Sequence, residues 1–254
     1  MKRIAIYITL VILAGTHAFA ATEQQLADSL QHANKLAMDG QNAEAINTYN
    51  YILGEGYESA ELYYNLGYCH YKSGKLGPAI LNFERAKRLN PSDEDTQYNL
   101  EQAYEMTDKM QKLTPIFIFR WWDSFRNITN SDGWAVIFIV FFVLVLAGVA
   151  MFLFANSVAM RKVGFFAGLI LTVLAIGALT ISINQRNEVV NSKAAIIMSS
   201  SVTLSTSPDK NGTQMVVLHE GTHVVILSTI GDWSEVRLDD GNVGWIKSQD
   251  IEVI

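Results

Sequence analysis

The chain has 254 residues, with 25 acidic and 19 basic side chains and a formal net charge of −6. Acids outnumber bases over 21–113 and again over 188–254, and neither stretch carries a basic stripe, which argues against a nucleic-acid partner. Cys69 is the single cysteine, so no intramolecular disulfide can form; it lies in an apolar helical stretch, where a buried, inert thiol is expected.

In chain order, Lys2 and Arg3 precede a short apolar run over 4–14, followed by Thr16-His17-Ala18-Phe19-Ala20. A charged start, a run of about 11 apolar residues and small residues at Ala18 and Ala20 predict a signal peptide over 1–20, cleaved after Ala20. The competing reading is an uncleaved anchor.

The tripeptide Tyr-Asn-Leu occurs at Tyr64-Asn65-Leu66 and again at Tyr98-Asn99-Leu100, 34 residues apart. In the unit 60–90 one helix carries Tyr63, Leu66, Gly67 and His70, Gly74 makes a turn, and a second helix carries Ala79, Ile80, Phe83 and Ala86 before Pro91. Gly67 and Ala79 let the helices approach, while Leu66 and Phe83 fill the seam. The preceding unit keeps the register with Gly40, Ala45, Ile46 and Tyr49, although His32 stands where Leu66 would be. The third register predicts one helix over 94–110, a solvating cap.

This stretch, 24–110, resembles the tetratricopeptide repeat family. The resemblance implies that the first helix of each pair lines a groove, which here presents Asn34, Tyr64, Tyr68, Tyr71, Lys72, Tyr98 and Gln102 as candidate protein-binding residues. Rigid tyrosines suit peptide contact at modest entropic cost, although packing against the next unit is the competing role of each ring. Two and a half units make a short groove, matched to a short tail or a helix edge.

A junction over 114–133 is dense in rings. Thr114-Pro115 opens a helix, and Phe117, Phe119, Trp121, Trp122 and Phe125 alternate with Arg120, Asp123 and Arg126. With Trp134, the residues Phe119, Trp121 and Trp122 are expected at the membrane interface; docking on a partner's membrane segment is the alternative. Asn130-Ser131-Asp132-Gly133 is expected to break the helix.

Two uncharged apolar runs follow, 134–154 and 163–183, each long enough to cross a bilayer as a helix. They predict a transmembrane hairpin with a cytoplasmic loop over 155–162 that carries Arg161 and Lys162. Gly164 and Gly168 in the second run, with Ala147, Gly148 and Ala150 in the first, are expected to pack within the hairpin. With the signal peptide, this topology predicts an inner (cytoplasmic) membrane protein whose two soluble domains both lie in the periplasm.

After Asn184 the composition turns to Val, Ile and Thr. Short strands are expected over 202–205, 213–218, 222–227, 234–238 and 244–246, separated by Gly/Asp turns, which predicts a small all-β barrel. Glu220-Gly221-Thr222, Asp232-Trp233 and Gly244-Trp245-Ile246 give 194–254 a resemblance to bacterial SH3-like domains, which implies peptide or wall binding. Trp233 and Trp245 are the candidate ligand patch; barrel core is the competing place for a Trp, and the expected one for Trp245.

The fold class expected is thus a multidomain membrane protein: an all-α helix-pair stack, a two-helix hairpin and an SH3-like barrel. No nucleophile–base set, paired acids, zinc spacing or phosphate loop is evident, so no catalysis, cofactor or metal is expected. His219 and His223 fall on strand and turn, and Asp239-Asp240 reads as a solvated turn.

The order of these parts, with Arg120-Trp121-Trp122, Ser131-Asp132-Gly133-Trp134 and Arg161-Lys162-Val163-Gly164-Phe165-Phe166, resembles the BatE-like members of the Bacteroides aerotolerance (Bat) group. The resemblance implies a scaffold in an envelope complex linked to aerotolerance or stress. Its implied partners are other envelope membrane proteins, among them those of the group with von Willebrand A domains, which a MoxR-type ATPase accompanies. The reading of a different class is a wall receptor that binds peptidoglycan through the barrel.

Overall fold

A computed structural model describes residues 24–107, 117–209 and 212–254. The signal peptide and the Thr114-Pro115 helix start lie outside the described residues.

Five helices form the N-terminal stack: α1 over 24–38, α2 Asn42–Gly54, α3 Ala60–Lys72, α4 Leu76–Leu89 and α5 Glu94–Glu105. The starts of α3 and α5 are written in side chains. Ser59 Oγ accepts from Leu62 N–H at 3.1 Å, and Asp93 accepts from Thr96 N–H at 2.9 Å, each satisfying a donor that the first turn leaves free. Gly40 and Gly74, one period apart, turn the chain between paired helices at φ 76° and 73°, where a side chain would be strained.

The α3–α4 seam is built as the pattern predicts. A Cβ on Gly67 would lie 2.9 Å from Phe83 Cδ1 and 3.1 Å from the Ala79 carbonyl, so only glycine lets the ring close the gap. Leu66, Cys69, Ala79 and Phe83 are buried. Burial pushes the Cys69 thiol up to about 11, which leaves it protonated and unreactive at neutral pH. The degenerate position His32 is exposed, and its neighbour Ala33 takes the core place.

Helix α6 spans Phe117–Arg126 and buries none of its residues. Helices α7 (Ser131–Phe154) and α8 (Val158–Val190) pair along their length, and each is long and apolar enough to cross a membrane. Three expectations are corrected here. The helix break before the first span falls at 127–130, and residues 131–133 already form the first turn of α7, because Asn130 Oδ1 accepts from Gly133 N–H at 2.9 Å and so caps it. The connector is only 155–157, with Arg161 and Lys162 already in the first turns of α8. Helix α8 also continues past residue 183 to Val190, since Gln185 finds carbonyl partners and nothing there stops helical bonding.

The hairpin packs through its glycines. A Cβ on Gly164 would lie 2.7 Å from the Gly148 carbonyl, and one on Gly148 would lie 3.1 Å from the Gly164 carbonyl. Two helix backbones gain attraction by close approach, which larger side chains would prevent.

The C-terminal sheet has seven antiparallel strands: β1 Ala194–Ile197, β2 Ser201–Ser205, β3 Gln214–His219, β4 His223–Ile230, β5 Trp233–Leu238, β6 Val243–Lys247 and β7 Ile251–Val253. Their order is β3-β2-β6-β5-β4-β1-β7, with register shifts at Leu204/Ser205 and Ile226/Ser228 that bend the sheet around one core of Ala195, Ile197, Leu204, Leu218, Val224, Val236 and Ile246. The five-strand expectation missed β1 and β7. Both are short, four and three residues, too few for a pattern to stand out.

Candidate protein-binding groove

The groove is built on the first helix of each pair. Asn34 on α1 is its hub: its carboxamide oxygen accepts from Tyr49 Oη at 2.7 Å and from Asn65 Nδ2 at 3.1 Å, and its Nδ2 donates to Glu61 at 3.1 Å. One repeat on, Asn99 Nδ2 donates to Tyr64 Oη at 3.1 Å. Carboxamides of three successive first helices are thereby fixed by neighbours while their remaining donors and acceptors stay at the surface. Tyr64 stacks on Tyr68 with ring centroids 6.4 Å apart, and Lys72 Nζ sits 5.4 Å from the Tyr68 ring centre.

Between them lies a cavity of about 450 Å³, lined by Asn34, Ala37, Met38, Tyr49, Tyr64, Asn65 and Tyr68. Of the candidates named from sequence, Asn34, Tyr64 and Tyr68 line it. Tyr98 is 63 % exposed on α5, and Gln102, half-buried, follows it one turn on. Tyr71, partly buried, packs with Tyr64 and Tyr68 against the cluster of Ala79, Ile80 and Leu100 but does not line the cavity. Tyr49, Asn65 and Asn99 were not named. The signal for the asparagines was present, since each follows a groove tyrosine in the repeated tripeptide; Tyr49 matches Phe83 by register and reads as core, which it also is.

Burial, with Lys75 nearby, pushes the His70 imidazole down to about 4, and its Nδ1 is buried without a hydrogen-bond partner. Burial also raises the Tyr64 phenol, with Asp95 and Asp93 adding to the effect, so it remains a neutral donor and acceptor.

At the junction, Phe119, Trp121 and Trp122 are exposed. Trp134 is not: it is 7 % exposed, packs with Ala178 and Ile181, and donates from Nε1 to the Arg126 carbonyl at 2.8 Å. Its indole N–H is consumed inside the hairpin mouth, and Phe125 covers it, ring centroids 5.4 Å apart. Gln185, 7 % exposed, donates to the Arg126 and Thr129 carbonyls, and Arg126 pairs with Glu188 at 2.6 Å.

On the sheet, Ser234, Val236 and Leu238 of β5 and Gly244 and Ile246 of β6 point inward. Trp233 and Trp245 therefore share the outer face, Trp245 opposite Glu235 and Trp233 opposite Lys247. The core place expected for Trp245 is taken by its neighbour Ile246, because the two-residue period sends alternate side chains to opposite faces. His223 pairs with Asp239 at 2.8 Å, and Asp240 bonds Asn242 within the turn.

Residues 60–93, which contain α3, α4 and their turn, match the tetratricopeptide repeat family. Residues 204–251 match the family described as the bacterial dipeptidyl-peptidase Sh3 domain. No curated protein matches the chain.

Proposed function

We propose that this protein is a non-catalytic, membrane-anchored scaffold whose groove holds a short segment of a partner protein within an envelope complex of the Bacteroides aerotolerance type. The observation that carries the reading is the groove itself: asparagines and tyrosines of three successive repeats are held in place by one another and still offer donors, acceptors and ring faces to a peptide.

The hairpin supports the anchoring. Helices α7 and α8 begin and end at one mouth, where Ser182 Oγ donates to the Ser131 carbonyl at 2.8 Å. Domains flanking an even number of crossings return to one side, and the stack and barrel touch each other. The predicted signal peptide would make that side the periplasm. Exposed Phe119, Trp121 and Trp122 on α6 suit the lipid interface beside the hairpin.

Replacing Met38 by Asp and Tyr98 by Ala should reduce crosslinked partner membrane proteins in intact cells at least tenfold while the protein still inserts. Undiminished capture would count against the groove. The wall-receptor reading rests on Trp233 and Trp245 sharing an outer face within the matched 204–251 segment. If it holds, the Trp233→Ala/Trp245→Ala protein is lost from sacculus pull-downs that retain wild type.

A further inference from the structure

By the 34-residue register, the partner helix of α5 should lie over 110–123, one period after α4. That stretch runs into α6, whose described residues are all unburied. The face of α5 that such a helix would cover is nevertheless closed. Leu100 and Ala103 join Ile80, Leu81 and Phe83 of α4 in one apolar cluster with Ile196 of β1 and Ile254 beyond β7.

Polar contacts fix the same docking at both ends of α4. Its first turn has no cap from its own neighbours; the Gly77 N–H instead donates to Glu220 Oε1 of the β3–β4 turn at 2.7 Å. Toward its last turn, Arg85 pairs with Glu252 at 3.0 Å and donates to the Val253 carbonyl at 2.8 Å, and Arg88 donates to the Ile254 carbonyl. Gly221 lies flat on the stack, where a Cβ would be 2.8 Å from Ile80 Cδ1 and 2.9 Å from Thr107 Cγ2. Tyr104 of α5, largely buried, donates to Glu84 of α4 at 2.7 Å.

We infer that the SH3-like barrel is the C-terminal cap of the repeat stack, standing where the second helix of the third repeat would stand and holding α5, the third wall of the groove, in place. Two of the docking segments, Ile196 of β1 and 252–254 at the β7 tail, lie outside the 204–251 stretch that matches the barrel family. Docking thus combines additions to the barrel unit with the Glu220-Gly221 turn inside it. A first helix without a covering partner leaves an apolar stripe in water, and end units of a stack need a cover. The barrel supplies it and leaves the α6 segment for the junction. The groove wall carrying Tyr98, Asn99 and Gln102 is then only as stable as barrel docking.

The test is hydrogen exchange on the full chain in nanodiscs, which requires no partner and so fails independently of the scaffold reading. Ile254→Asp combined with Arg85→Glu places an unpaired carboxylate in the docking cluster and reverses the latch. Amides of α5 should exchange at least tenfold faster, with those of α2 and of the β4–β5 hairpin unchanged. Restoring Ile254 and adding Glu252→Arg to Arg85→Glu should return α5 to within about threefold of wild type. Unchanged α5 protection overturns the inference, and so does equal loss over α2 and α5, which would mean that the stack unfolds as one unit without a local cap.

Discussion

The two faces of the repeat stack are made by neighbouring helices, with α5 contributing to both, and behave in opposite ways. The groove face is lined by Asn34, Asn65, Tyr64 and Tyr68; Asn65 donates to Asn34, Tyr64 accepts from Asn99, and the four remain partly wet. The other face presents Ile80, Leu81 and, from α5, Leu100 and Ala103, and the barrel covers it. Aliphatic surface gains most by being removed from water altogether, whereas fixed amides and phenols lose less by waiting in water for a ligand. One face is thus committed to internal docking, and the other is left for a partner.

The largest expected break lies between the faces, in the seam. Phe83 is fully buried against Gly67 and Tyr64. Phe83→Ala should cost about 3–5 kcal/mol, read from urea unfolding of the solubilised protein, because Gly67 offers no side chain to fill the void. A smaller loss would mean that the helices collapse inward.

A second effect is set by pH. His70 is held neutral, with its imidazole down at about 4 against an ordinary 6.5. The unfolded chain takes up this proton first as pH falls, so the stability is fully present above about 6.5 and declines toward pH 4. The melting temperature should fall through that window, and His70→Gln should flatten the decline; an unchanged slope would assign it to other groups.

The smallest effect belongs to the open face. Tyr98→Ala should change stability by less than about 0.5 kcal/mol, since the ring is 63 % exposed. A larger loss, in the same unfolding measurement, would make Tyr98 part of the packing and blur the distinction between the faces.

Much of this molecule is readable from local spacing. The seam residues Leu66, Gly67, Ala79 and Phe83 follow from the repeat period, and the contact of Gly148 with Gly164 follows from small residues in apolar runs. The turns around Gly221, Gly231 and Gly241 all have positive φ, as the Gly-rich strand breaks suggest. The misplacements have a common cause. Trp245 and Ile246 are adjacent apolar residues, and only the strand register decides which one faces inward. Trp134 reads as an interfacial ring until the Arg126 carbonyl, brought back by the α6–α7 turn, takes its N–H. Tyr71 shares a helical stripe with Tyr64 and Tyr68 and packs against the same α4–α5 cluster, yet it does not line the cavity.

By itself the sequence determined the kinds of parts: a 34-residue period makes helix pairs, about twenty uncharged residues make a spanning-length helix, and short Val/Ile runs between glycine turns make a coiled sheet. Each of these signals is local, set by how side chains repeat along a few turns or strands. Only the tertiary structure decided that the barrel caps the stack. That contact joins Gly77 to Glu220 and Arg85 to Glu252, partners 143 and 167 residues apart, across a hairpin that interrupts every periodic signal between them. Which surfaces meet depends on what each fold leaves uncovered, and here that is the apolar side that α4 and α5 share.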